Sequence, residues 1–175
     1  MMSYLIRALF FALPLVGLTA CGESGAADSG QLSGYGVAGP SALCSSGQLW
    51  TQGNQESPVM KPGGDCISCH RSYNEGPLYA VAGTVMGAFD DQDDCAGVQA
   101  VTVQITGADG VVTTLLTNAA GNFSSHAVIA TPFTAKVIGS DGSERAMMTP
   151  QTQTNCMTCH TAQGANGAPG RIVAP

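Results

Sequence analysis

A chain of 175 residues with 12 acidic and 6 basic side chains carries a net charge of −6 and has room for one domain, hardly for two. An acidic chain with no Lys/Arg cluster excludes nucleic acid as a partner and excludes direct binding to anionic headgroups. Seven cysteines among only three histidines then become the feature to explain.

The first element is a leader. Met1 to Arg7 is a short basic start, and Ala8 to Leu18 is an apolar run too short to span a bilayer comfortably. Leu18-Thr19-Ala20-Cys21 follows where a cleavage site belongs, and it resembles the lipobox of bacterial lipoproteins. The resemblance implies removal of residues 1–20, lipidation of Cys21 and attachment to a membrane through that lipid. An ordinary secretory signal with an incidental cysteine is the alternative, and either one exports the protein. Removal of 1–20 takes Arg7 and no acid, leaving the chain one charge more negative. Gly22, not aspartate, follows Cys21, which by resemblance to lipoprotein sorting rules favours the outer membrane. Residues 21–40, rich in Gly, Ser and Ala without apolar periodicity, read as a flexible tether.

Residues 41–77 and 150–175 each hold one copy of the same pentapeptide pattern: Cys66-Ile67-Ser68-Cys69-His70 and Cys156-Met157-Thr158-Cys159-His160. Two thiols three residues apart lie on one side of a helical turn, and the adjacent imidazole falls over whatever planar group they hold. The pentapeptides resemble the attachment motif of c-type cytochromes. That resemblance implies two covalent c-type haems, on Cys66 with Cys69 and on Cys156 with Cys159, with His70 and His160 as proximal iron ligands. Other readings of the pairs are a four-thiolate zinc site, a redox-active dithiol and plain disulfides. Zinc needs no histidine after each second cysteine, and Lys61-Pro62-Gly63-Gly64 reads as a loop where a dithiol enzyme would want a strand. With Cys21 assigned to lipid, Cys44 and Cys95 remain, and parity suggests a disulfide between them.

Residues 78–149 change character. Val101, Val103 and Ile105 alternate with Thr102, Gln104 and Thr106, the period of a half-buried strand. Turn signals at Gly107–Gly110, Asn118–Asn122 and Gly139–Gly142 divide the region. Six strands are expected, around 79–86, 98–106, 110–117, 121–129, 132–138 and 143–149. The fold class is therefore all-β, an antiparallel sandwich flanked by two loop or short-helix motif segments. Val98-Gln99-Ala100-Val101-Thr102-Val103 and Thr117-Asn118-Ala119-Ala120-Gly121-Asn122-Phe123 resemble the carboxypeptidase-regulatory or transthyretin-like family, an Ig-like sandwich that serves as a binding or scaffolding module. The run Asp90-Asp91-Gln92-Asp93-Asp94 reads as a solvated hairpin tip, with a calcium loop as the other reading.

Histidine supply limits the distal ligands. His126 is the remaining imidazole, expected to point outward from its strand, where an iron could take it. The second iron would then use methionine, from Met147 or Met148, or stay open. Met86 reads as core and Met60 as a loop residue. The leading expectation is a dihaem lipoprotein passing electrons between partner proteins at the cell envelope, with no catalytic residues of its own. A haem-based sensor and a haem-free β-sandwich binding module are the alternatives. An even strand count further predicts that the two motifs meet at one end of the domain.

Overall fold

The alternating region folds as six strands: β1 (Val81–Met86), β2 (Thr102–Thr106), β3 (Val112–Leu116), β4 (Asn122–Ser125), β5 (Thr134–Ile138) and β6 (Glu144–Ala146). The computed structural model describes residues 43–53 and 56–175, so residues 1–20, the whole of the expected tether and Cys21 with its expected lipid lie outside the described residues. A seventh strand, β7 (Ile172–Val173), arises within the C-terminal motif segment. Two residues are too few for any periodicity, which is why it was not expected.

The strands make two sheets, ordered β3-β2-β5-β6 and β4-β1-β7. All pairings are antiparallel except β1 with β7, which is parallel. With one eight-residue helix, α1 (Cys66–Tyr73), and one short 3-10 turn, the described chain is all-β. Both sheets contribute to a single core: Val81 and Val85 from β1, Val103 and Ile105 from β2, Phe123 from β4 and Val137 from β5. The turn before β4 depends on Gly121, at φ +80°, where a Cβ would fall 2.5 Å from the Val85 carbonyl oxygen. Any side chain there would be strained and would also separate β4 from β1.

β1 is buried along its whole length. Its odd-numbered residues face the core. On the other face Thr84 Oγ1 accepts from the Gly63 amide (2.9 Å) and donates to Asn122 Oδ1 (2.7 Å). Asn122 Nδ2 in turn donates to the Met60 carbonyl (2.8 Å). This buried polar chain holds the loop that precedes α1 flat against the outer face of the sheet. β4 ends at Ser125 rather than continuing to 129, so His126 lies exposed just past the strand.

Cys44 and Cys95 are joined by a disulfide, with both residues buried. Beside it the acidic run, expected as a solvated hairpin tip, keeps Asp90, Gln92 and Asp93 exposed but buries Asp91. Asp91 is 2% exposed. Its carboxylate accepts from the Ser45 amide (2.6 Å) and hydroxyl (2.6 Å), and from the Gly87 (3.1 Å) and Ala88 (3.0 Å) amides. Asp93 pairs with Arg171. Asp91 turns inward because backbone amides need an acceptor there, while Asp93 meets the guanidinium from an exposed position.

Burial would raise the Asp91 carboxyl, but the hydrogen bonds from Ser45, Ala88 and Gly87 outweigh it and hold it below the ordinary 3.8. A carboxyl depressed on folding stabilises the protein above its unfolded value, and that contribution disappears as pH falls through the folded one. Stability should therefore fall on acidification below about pH 4. Asp91→Asn should be less stable at pH 7 by about 1–3 kcal/mol and should lose that part of the acid dependence. Urea titrations between pH 2 and 7 measure both, and parallel pH profiles for the two proteins would contradict the assignment.

Candidate functional site

The first motif starts at a capped helix. Asp65 Oδ1 accepts from the Ser68 amide (3.0 Å), which fixes the first turn of α1 immediately before Cys66. Asn74, left-handed at φ 52°, ends the helix. Ile67 and His70 form its buried face, and Cys66 and Cys69 are half-buried. The second motif opens on Asn155 and a 3-10 turn, Cys156–Thr158. The His160 amide then donates to the Cys156 carbonyl (3.0 Å), which closes the loop that carries the imidazole.

Both motif histidines are held in the same way. His70 Nδ1 lies 2.8 Å from the Pro77 carbonyl oxygen, and His160 Nδ1 lies 2.9 Å from that of Gly170. A carbonyl can only accept, so in each neutral ring Nδ1 carries the hydrogen and Nε2 keeps its lone pair. Gly76, at φ +66°, lies close under the His70 ring: a Cβ would come within 3.1 Å of Cε1. This is the way a metal-ligating imidazole is oriented by its second nitrogen.

Strand pairing brings the two motifs together. Asn155 bridges to Ala82 of β1 in parallel register, so it continues on the same edge that β7 occupies further along. Its side chain crosses to the first motif: Nδ2 donates to Asp65 Oδ1 (2.7 Å) and to Ser68 Oγ (3.2 Å). Cys156 points the opposite way, toward the core. Gly83 makes room for it, since a Cβ there would sit 3.1 Å from Cys156 Cβ and 2.7 Å from the Phe123 ring. The first motif thus covers the outer face of the β4-β1-β7 sheet, and the second enters the gap between the sheets.

That gap is a cavity of about 370 Å3. Cys156, Cys159 and His160 stand on one side, Met147 and Met148 on another, and Val103, Phe123, Phe133 and Val137 form its apolar wall. A volume of this order suits a small organic group. Met147 is half-buried against the core, whereas Met148 is 96% exposed. A second cavity of about 190 Å3 contains His70 with Met60, Glu75 and Tyr79. Met60, read from sequence only as a loop residue, thus shares a cavity with His70. His126 lies near the first motif, its Nδ1 3.0 Å from the Leu78 carbonyl oxygen. Its ring packs on Tyr79, 5.1 Å between centroids, and Tyr79 packs on His70 at 5.7 Å. Bringing both imidazoles onto one iron would require the Tyr79 ring to turn aside.

The thiols differ. Burial pushes the Cys66 thiol up, and the Asp65 charge adds to the effect against an opposing backbone hydrogen bond. Burial pushes the Cys156 thiol up to about 12. Both therefore keep their hydrogens at neutral pH. Cys159 is a free thiol as well, whereas Cys69 is disulfide-bonded. Among the described residues no three His, Cys, Asp or Glu side chains gather into a metal-holding group, so the cysteine pairs do not form a tetrad. No described helix is long and apolar enough to cross a membrane.

Arg171 is the site residue that sequence reasoning missed. Its side chain is 3% exposed, with Nε donating to the Asp91 carbonyl (2.8 Å) and Nη1 to the carbonyls of Gly63 (2.8 Å) and His160 (3.5 Å). It joins the loop before the first motif, the acidic run and the second motif at one point. Comparison with known proteins finds no match: no family model fits the chain, and no curated protein or solved structure matches it significantly.

Proposed function

We propose that the protein is a dihaem c-type cytochrome lipoprotein, carrying haem on Cys66/Cys69 and Cys156/Cys159 and passing electrons between redox partners at the cell envelope. The observation that carries the reading is that both motif imidazoles have Nδ1 tied to a backbone carbonyl, leaving Nε2 of His70 and His160 as the ligand atoms. The donor set fits the group: free thiols at Cys66, Cys156 and Cys159, and an apolar cavity beside His160. Loading the first motif requires the Cys69 sulfur as a free thiol alongside that of Cys66. When bound, haem supplies one-electron chemistry.

The chain's own residues orient and enclose. Pro77 and Gly170 fix the imidazole tautomers, Met60 offers a sulfur in the His70 cavity, and Met147 or Met148 offers one in the larger cavity. His126 remains a candidate for the first iron if Tyr79 moves. Asn155, hydrogen-bonded across the motifs, keeps the two sites adjacent, which suits electron exchange between them. In this reading the two sheets are an Ig-like, transthyretin-like sandwich acting as the frame, and the lipid on Cys21 is the tether to the outer membrane.

The test is the intact mass of protein purified from an envelope fraction of a host able to mature c-type cytochromes. The polypeptide with its lipid should be heavier by two haems, and the colour should survive a denaturing gel. One haem, mapped to the peptide of Cys156–His160, would reduce the protein to a monohaem cytochrome. Bare thiols at all four positions would overturn the reading.

A further inference from the structure

In a chain with twice as many acids as bases, basic side chains collect at one place. Lys136, Arg145 and Arg171 all line the larger cavity, and no aspartate or glutamate does. Two of these charges are already answered. Arg171 is paired with Asp93 and saturated by backbone carbonyls, and Lys136 Nζ lies 2.7 Å from Glu144 Oε1. Arg145 has no carboxylate partner among the described residues. It lies on β6 with its guanidinium carbon 5.4 Å from the centroid of the Phe89 ring, which lines the same cavity. The stacking holds the cation while leaving its in-plane N–H donors available.

A cavity whose wall is Val, Ile and Phe and whose charged groups are all cations selects an amphiphile: a flat apolar body bearing carboxylates. The carboxylates are the part of such a group that cannot enter the apolar interior without a partner. We infer that Arg145 binds the carboxylates of the group held at Cys156, Cys159 and His160, and so sets both its orientation and its charge balance. The inference rests on the functional reading above, in which that group is haem and the carboxylates are its propionates. A guanidinium suits the task better than an ammonium, because its planar fork meets a carboxylate through two parallel hydrogen bonds.

The experiment is a spectroscopic redox titration of the haem-loaded protein, its Arg145→Gln variant and its Arg145→Lys variant, each first checked by intact mass and far-ultraviolet circular dichroism. Removing a cation beside the propionates favours the oxidised, more positive iron, so one of the two redox steps should move to lower potential in Arg145→Gln while the other stays. Arg145→Lys should recover most of the displacement. Loss of haem from the second motif alone in Arg145→Gln, with the first still loaded, would support the inference by a stronger effect. Unchanged steps in a fully loaded Arg145→Gln protein would overturn it. Equal displacement of both steps would overturn it too, as an effect of net charge alone. Absence of haem from the unmodified protein would remove the functional reading and this inference with it, so the two failures are told apart by the mass measured first.

Discussion

Arg171→Met is expected to lower the unfolding free energy by about 3–5 kcal/mol. The ion pair supplies little of this, because the Asp93 side chain is 67% exposed and its charge would be taken up by water. The larger loss is at the carbonyls of Asp91 and Gly63, each of which accepts a charge-assisted bond from a guanidinium buried to 3% exposure. Methionine fills most of the space but donates nothing, so those acceptors stay buried and unpaired. Arg171→Lys should recover only part, since a single ammonium cannot reach carbonyls on opposite sides as a planar fork does. Urea unfolding with an unchanged slope measures the difference. A loss below about 1 kcal/mol would mean that water enters and replaces the guanidinium.

The double substitution Cys44→Ala/Cys95→Ala is expected to cost a similar amount, about 4 kcal/mol from the chain-entropy relation for a bridge of sequence separation 51. The bridged segment contains all of α1 and β1, so the unfolded chain gains freedom in the part that carries the first motif. Alanine suits both positions, because a serine hydroxyl at a site as buried as Cys95 would add its own desolvation cost. Ser45, next to Cys44, also holds Asp91, so the effect should not add simply to that of Asp91→Asn. Peptide mapping without reductant should recover the bridged pair in the parent protein. A stability change within 0.5 kcal/mol or so would show that Ser45 and Asp91 hold this loop without help from the bridge.

What the sequence disclosed and what it withheld follow from the range of the interactions. Val101, Val103 and Ile105 announce β2 by alternation, and all three are buried. The turns at Gly110, Gly121 and Gly142 were legible because each needs positive φ. These signals are local. Arg171 bonds to Gly63, 108 positions away, and Asn155 to Asp65, 90 positions away, and nothing in a local window marks either. Asp91 within the acidic run was misread for the same reason. Its neighbours in sequence suggest solvent, but its partners in space are Ser45 and Arg171. Among the candidate ligands, the cysteine and histidine positions were set by motif. Met60 stood among the available methionines as a loop residue, and the shape of a cavity is what sets it beside His70; Arg145 entered only through the company it keeps in the other cavity.

Parallel pairing of β1 with β7 bears on the order in which the fold closes. β1 is covered on both faces, yet beyond Asn155 its second edge is paired only at Val85 and Met86, by two residues from far downstream. Antiparallel neighbours joined by short turns can zip together locally, whereas this edge must wait for a segment whose loop-closure cost is high. Until that segment docks, the strand that ends up buried along its whole length presents open backbone, and the gap that admits Cys156 stays wide. The late step that seals β1 against foreign strands is thus also the step that shuts the second motif inside, and the thiols there are most accessible in the interval before it.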